Sequence, residues 1–241
     1  IVCHALLHFS WGGCWLRLGR RTWPAVIDMA GLNLRYVREE DNEFVIGAMA
    51  TQGDVERFEP LQTFCGGAVV RGIKEILGVQ FRNMATMGGS VASKFGFSDI
   101  IPALLAVHAD IVTYKGGRMS MQEYMNYREK DILVEIRIPN HEAPVAIEAL
   151  RISRGDFPYL TGSIRHDDTG YKIYIGTRPG APQLAVKASA LLSEKGLAAL
   201  DEAAQIASEE LVFQKNSHAS KEYRMEMAKA MVRRLVKEVA Q

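Results

Sequence analysis

The segment from Arg82 to Leu105, R-N-M-A-T-M-G-G-S-V-A-S-K-F-G-F-S-D-I-I-P-A-L-L, restricts the fold of this chain more than any other. Gly88 and Gly89 stand between the small hydroxyl residues Thr86 and Ser90, upstream of Asp99 and an apolar run. An adjacent glycine pair serves one of two ends. It allows a tight turn with positive φ, or it removes Cβ atoms so that a bound group can approach the backbone amides. Flanking hydroxyls suit a phosphate cradle, and the local pattern leaves both readings open. Ser98 is placed to cap a helix containing Pro102, Leu104 and Leu105, with Asp99 at its positive end. Asp99 is therefore either a ligand-binding acid or an ordinary first-turn acid.

The chain has 241 residues, enough for two modest domains or one large one, and 48% of them are hydrophobic against 24% charged. That balance supports real cores and excludes a disordered chain. A formal net charge of +1 gives no global reason to expect nucleic acid or an anionic membrane as partner. Cys3, Cys14 and Cys65 are odd in number and irregularly spaced, which argues against a disulfide framework and points to a reducing compartment, with a cytoplasmic location expected. Without a C-x-x-C pair, no iron-sulfur cluster or structural zinc is expected within this chain. His4 and His8 share a helical spacing but lack a third ligand nearby, so no metal site is expected. No apolar run approaches the roughly 20 residues of a membrane span. The first residues also lack the features of a signal peptide.

Taken in order, Trp11 to Gly19 carries a second glycine pair, Gly12 and Gly13, before a basic loop that ends at Pro24. Ala25 to Met29 reads as a short strand. Tyr36 to Glu39 and Phe44 to Met49 read as a strand pair around the turn at Asp41 and Asn42. Thr51 is placed to cap a short helix to Phe58, and Pro60 to open a longer one, weakened by three glycines, with an apolar face through Leu61, Phe64, Cys65, Ala68, Ile73, Ile76 and Leu77. Ile111 to Tyr114 is an expected strand, Met119 to Tyr127 a short helix, and Ile132 to Ile138 a boundary strand stopped by Pro139. Beyond Pro144, strands are expected at Val145 to Ile152, Tyr159 to Arg165 and Tyr171 to Ile175, with a turn at Asp167 to Gly170. The end is helical, with apolar positions at Leu197, Leu200, Ala204, Ala207 and Leu211 and again at Ala228, Met231, Leu235 and Val239. Lys229, Arg233 and Lys237 read as a solvated face, and Met225, Met227 and Met231 as packing residues.

Two glycine pairs in one α/β region form a plausible two-sided clamp for a diphosphate. Neither fits G-x-G-x-x-G or the P-loop. In order, Gly12-Gly13-Cys14-Trp15-Leu16, A-V-I-D-M-A-G-L, F-V-I-G-A-M-A-T, R-N-M-A-T-M-G-G-S with S-D-I-I-P-A-L-L, D-I-L-V-E-I-R-I-P and L-R-I-S-R-G-D-F-P resemble the motifs of one family. The chain resembles the FAD-binding (medium) subunit of the molybdenum hydroxylases, which include xanthine dehydrogenase, aldehyde oxidoreductase and carbon monoxide dehydrogenase. The resemblance covers nearly the whole chain.

It implies an α+β architecture: two α/β subdomains of the vanillyl-alcohol-oxidase (PCMH-type) FAD-binding fold, followed by a small sheet-and-helix domain. The implied boundaries are 1–140 for the FAD-binding domain, with subdomains about 1–58 and 59–140, and 145–241 for a carbon monoxide dehydrogenase flavoprotein-like C-terminal domain. The family's first strand and part of its first helix would lie upstream of Ile1. By the resemblance, Gly12, Gly13, Cys14, Trp15 and Leu16 together with Thr86, Gly88, Gly89 and Ser90 hold the FAD pyrophosphate. Asp99 binds the ribose or diphosphate region, Leu133 packs near the ring system, and Arg151 lies near the flavin. Asp156 and Phe157 either shape the flavin environment or form a simple turn. No acid-base catalytic residue is implied. The implied partners are a molybdopterin-binding large subunit and a [2Fe-2S] small subunit, with electrons leaving through FAD to NAD or another acceptor. Trp11, Cys14 and Trp15 stand where relatives carry small residues, which motivates a rival reading, a flavin-free structural or assembly subunit.

Overall fold

The computed structural model describes residues 7–10 and 25–241. The first glycine loop, Gly12 to Leu16, and His4 lie outside the described residues.

Strands β1 (Leu7–Ser10) and β2 (Ala25–Asp28) pair in parallel. The two-residue turn at Asp41 and Asn42 follows the expected pattern, since both residues adopt positive φ, 52° and 61°. It joins β3 (Val37–Glu40) to β4 (Glu43–Gly47). Thr51 caps α1 (Gln52–Arg57) reciprocally: its hydroxyl accepts from the Asp54 amide, and the Asp54 carboxylate accepts from the Thr51 amide.

Helix α2 (Glu59–Lys74) departs from the expected continuous helix and stops before Ile76 and Leu77, the latter 48% exposed with φ 43°. Cys65, Gly66 and Gly67 take left-handed values near φ 50°, 65° and 69°, which break it into two pieces. The Cys65 amide, freed from the helical ladder, donates instead to the Glu142 carboxylate at 2.7 Å. Gly67 is required here, because a Cβ at that position would stand 2.5 Å from the Gln62 carbonyl oxygen.

After α3 (Val79–Arg82) and α4 (Met87–Ala92) comes α5 (Ile100–Ala106), every residue of which is buried. Strands β5 (Asp110–Thr113) and β6 (Gly117–Ser120) form a hairpin, followed by α6 (Met121–Asn126) and β7 (Leu133–Pro139). Met119 and Ser120 thus belong to a strand rather than to the expected helix, because Ser120 is the N-cap and starts the helix only at Met121. Strand β7 is not a boundary strand either. It is central in a five-stranded antiparallel sheet of order β3-β4-β7-β5-β6. Its Ile136 and Ile138 face the core, while Glu135 and Arg137 join Glu43 and Arg118 in ion pairs on the other face.

The second sheet, β11-β10-β9-β8, comprises β8 (Val145–Leu150), β9 (Leu160–Asp167), β10 (Gly170–Gly176) and β11 (Gln183–Leu184). Helices α7 (Val186–Lys195), α8 (Leu200–Glu210) and α9 (Lys221–Val239) build its own core, with Ala204, Ala207, Ala228, Met231, Leu235 and Val239 buried as the periodicity predicts, whereas Leu197 is 51% exposed in the turn before α8 and Leu211 lies past its end. Met225 and Met227 pack against that core. Lys229 and Arg233 are paired with Glu226 and Asp201, as suits a solvated face.

The other side of this sheet packs on α2 and α5. Consequently β9 is buried on both faces: Leu160 and Ile164 point into the C-terminal core, while Ser163 donates to the Pro102 carbonyl of α5 at 2.7 Å. Arg224, fully buried, is held by carbonyls of Tyr159, Gln214 and Ala219 and by Asn216 Oδ1.

Replacing Gly67 by alanine should lower stability by about 2 kcal/mol or more, from a left-handed Cβ penalty of ~1–2 kcal/mol plus the carbonyl contact. Gly31, which has open space around it, should tolerate alanine with little loss. Urea unfolding of the two variants measures the difference.

Candidate cofactor site

The second glycine motif lies where α4 begins. Thr86 is its N-cap, with its hydroxyl accepting from the Gly89 amide at 3.2 Å. The Met87 and Gly88 amides donate to the Ala50 and Ala48 carbonyls at 2.8 and 2.9 Å, and the Ser90 amide to the Thr86 carbonyl at 3.1 Å. Gly88 permits this approach: a Cβ there would meet the Ala48 carbonyl oxygen at 2.6 Å. Neither glycine adopts positive φ, so the tight-turn reading is corrected, and the missing Cβ of Gly88 serves close packing within the protein. The first glycine of the pair seats α4 on the loop after β4, and the helix start is satisfied from within. The expectation that the Gly88 amide is offered to a ligand is corrected, since that hydrogen is spent on Ala48.

A residue absent from the sequence reading joins this cluster. Gln52, 2% exposed, donates through Nε2 to Ser90 Oγ at 3.0 Å, and its Oε1 has no hydrogen-bond partner. No sequence signal singled it out, since a glutamine one residue after a helix cap is ordinary.

Asp99 and Arg151 converge from different parts of the fold, Asp99 from the start of α5 and Arg151 from just beyond β8. Their charged atoms approach to 2.7 Å, with only 11% and 9% of the side chains exposed. The contact is an ion pair without hydrogen-bond alignment, for Asp99 Oδ1 and Arg151 Nε both lack a hydrogen-bond partner. Burial pushes the Asp99 carboxyl up to about 6, against the opposing pull of Arg151, and the nearby Glu75 adds to the rise. Both residues line a cleft of about 290 Å³ with Arg71, Glu75, Glu148 and Thr161. That is near the lower end of the ~300–1,000 Å³ typical of ligand pockets, so the cleft suits one portion of a dinucleotide.

Leu133 is not brought to this cleft. Its side chain is 1% exposed in the first core, which corrects the expectation that it packs against the ring system. Its backbone pairs with Thr113 at an irregularity in the β5–β7 ladder. Asp156 lies in a turn closed by the Ser153 hydroxyl at 2.8 Å. Phe157 extends from that turn to Phe97, at 4.6 Å between ring centroids, and Phe97 stacks on Phe95.

Residues 11–141 match the family described as FAD binding domain in molybdopterin dehydrogenase. The chain belongs to that family. The cofactor of that family is FAD. Residues 147–239 match the CO dehydrogenase flavoprotein C-terminal domain.

A curated relative, the uncharacterized protein YgfM of Escherichia coli, is 26% identical over 144 residues, covering 59% of this chain and 53% of that protein. The chain thus spans about half the length of the curated relatives it matches. Among solved structures, quinoline 2-oxidoreductase from Pseudomonas putida 86 superposes with a TM-score of 0.87 at 18% identity, over 98% of this chain and 90% of that one. Carbon monoxide dehydrogenase from Hydrogenophaga pseudoflava gives 0.86 at 24% identity, over 97% and 89%. These likenesses establish the fold. Among the described residues no helix is long and apolar enough to cross a membrane.

Because the folded carboxyl of Asp99 titrates near 6 and an unfolded one near 3.9, the native state binds more protons in between. Stability from this residue is therefore greatest below about pH 4, falls as pH rises to about 6, and is flat above. In the cofactor-free protein, unfolding free energies of wild type minus Asp99→Asn should fall by on the order of 2 kcal/mol across that window. Parallel curves would refute the assignment.

Proposed function

We propose that this chain is the electron-transfer subunit of a molybdopterin-containing hydroxylase. It would stand beside a molybdopterin-binding large subunit and a [2Fe-2S] small subunit in the cytoplasm, relaying electrons from the partner's clusters to NAD or another acceptor. The supporting observation concerns buried polar groups, which normally find partners. Among the described residues, the buried side-chain atoms without a hydrogen-bond partner are Gln52 Oε1, Asp99 Oδ1 and Arg151 Nε. Two of these belong to residues expected to contact FAD, and the third belongs to the neighbour of Ser90.

The residues fit a dinucleotide. Gly12, Gly13, Cys14, Trp15 and Leu16 are proposed to carry the pyrophosphate. Thr86, Gly88, Gly89 and Ser90 would form the facing wall. Asp99 and Arg151 would each gain a partner from the cofactor, one as acceptor and one as donor. When bound, FAD supplies one- and two-electron redox chemistry, and the protein sets its position, exposure and potential. The two domains would divide near residue 140, with the cofactor held mainly by the first and Arg151 reaching in from the second.

Purified with FAD available, the protein should be yellow, with stoichiometric flavin. FAD at about 100 times its Kd should stabilise it by about 2.7 kcal/mol. Bleaching of the flavin absorbance by NADH would support NAD as acceptor, and its absence would point to another one. A folded chain that FAD neither colours nor stabilises would favour the flavin-free assembly reading.

A further inference from the structure

The segment between α4 and α5 joins the second glycine motif to Asp99, and both domains hold it. Lys94 anchors it to the first domain, its ammonium donating to the Tyr124 and Tyr127 carbonyls at 2.5 and 2.6 Å. The residues that follow turn to the C-terminal domain. The Gly96 backbone lies on that of Gly180, where a Cβ on Gly96 would stand 3.1 Å from the Gly180 carbonyl carbon. The Gly96 carbonyl accepts from the Thr177 hydroxyl at 3.0 Å. Phe97 then meets Phe157, and Asp99 meets Arg151.

Thr177 is buried and takes a φ of 56°, a left-handed value that a β-branched side chain rarely adopts. The C-terminal domain fixes its loop with a buried arginine. Arg178 donates to the Ile175, Val212 and Ala181 carbonyls and to Gln183 Oε1. The Thr177 amide closes the loop on the Gly180 carbonyl at 3.0 Å. Backbone strain of this kind persists where the surrounding structure over-determines it, and it collects at ligand clamps.

The direction of the hydrogen bonds follows from the acceptor. A carbonyl cannot donate, so the Thr177 hydroxyl hydrogen goes to Gly96. The 3.2 Å contact between Thr161 Oγ1 and Thr177 Oγ1 therefore takes its hydrogen from Thr161. Pairing of Thr161 with Gly176 in the β9–β10 ladder brings the two threonines together. Thr161 lines the cleft of about 290 Å³ with Asp99 and Arg151, whereas Thr177 stands behind its wall. One hydroxyl thus orients a wall residue directly, and holds the segment that ends at another, Asp99.

Building on the FAD reading, we infer that Thr177 is a positioning residue for the cofactor: through Gly96 and Thr161 it sets the shape of the cleft that the dinucleotide enters, without touching the ligand. Cofactor affinity then depends on a residue of the C-terminal domain that lies outside the cleft.

The test compares wild type, Thr177→Val, Thr177→Ser and Gly96→Ala by three measurements: FAD affinity from flavin fluorescence, visible circular dichroism of the bound flavin, and the melting temperature of the cofactor-free protein. Thr177→Val keeps the side-chain shape and removes the hydroxyl. It should weaken FAD binding by about tenfold, which is ~1.4 kcal/mol, and alter the dichroism of the flavin that still binds. Thr177→Ser retains the hydroxyl and should stay within about threefold of wild type. Gly96→Ala displaces the segment with every hydroxyl in place and should also weaken binding, which carries the test if the valine variant fails to fold. A merely structural threonine would lower the melting temperature of Thr177→Val and leave the affinity and dichroism of the folded protein unchanged. Wild-type affinity in Thr177→Val or in Gly96→Ala, or a serine variant that loses as much as the valine variant, would overturn the inference alone. Failure of wild type to bind FAD would overturn the cofactor reading with it.

Discussion

The architecture depends on where α5 is placed. A short helix that is apolar on every side has no stable position at a surface, and Ile100 to Ala106 is accordingly enclosed between α2, α4, α6 and the second sheet. Its N-terminal end carries Asp99 inward with it. A carboxylate in that position loses solvent and is compensated only in part by Arg151. The charged pair is therefore a consequence of packing, and its location is the seam where strands of the C-terminal sheet meet the first core.

The same seam explains the composition of β9. Thr161, Ser163 and Arg165 alternate with Leu160, Gly162 and Ile164, which in isolation is the pattern of a strand with one wet face. All six are buried. The polar members face the first domain, where Ser163 donates to the Pro102 carbonyl and Arg165 to the Ala106 and His141 carbonyls. A sheet shared between two cores fixes their relation more firmly than a linker could, and it lets a residue of the second domain, Arg151, reach an acid of the first.

Polar satisfaction separates structure from function within the glycine motif. Gly88 is demanded by a backbone approach, and Thr86 by a capping bond; both would be needed in a protein that bound nothing. Gln52, Asp99 and Arg151 are different. Each has a buried atom without a hydrogen-bond partner, although Asp99 Oδ1 is ion-paired with Arg151, and such atoms are uncommon in packed interiors.

Local chemistry made much of this legible without coordinates. The turn at Asp41 and Asn42, the cap at Thr51, the apolar stripe of α9 and the family motifs all rest on interactions between residues close in sequence. The break in α2, the central position of β7, the burial of Leu133 and the pairing of Asp99 with Arg151 do not. They depend on which distant segment comes to lie alongside, such as Glu142 against Cys65 or β5 against β7. The sequence alone therefore determined most of the elements, through short-range hydrogen bonding and periodicity, while the cofactor family followed from the resemblance of its ordered motifs. Only the tertiary structure decided which polar atoms are sealed from water and left without partners, because desolvation is a property of the packed whole.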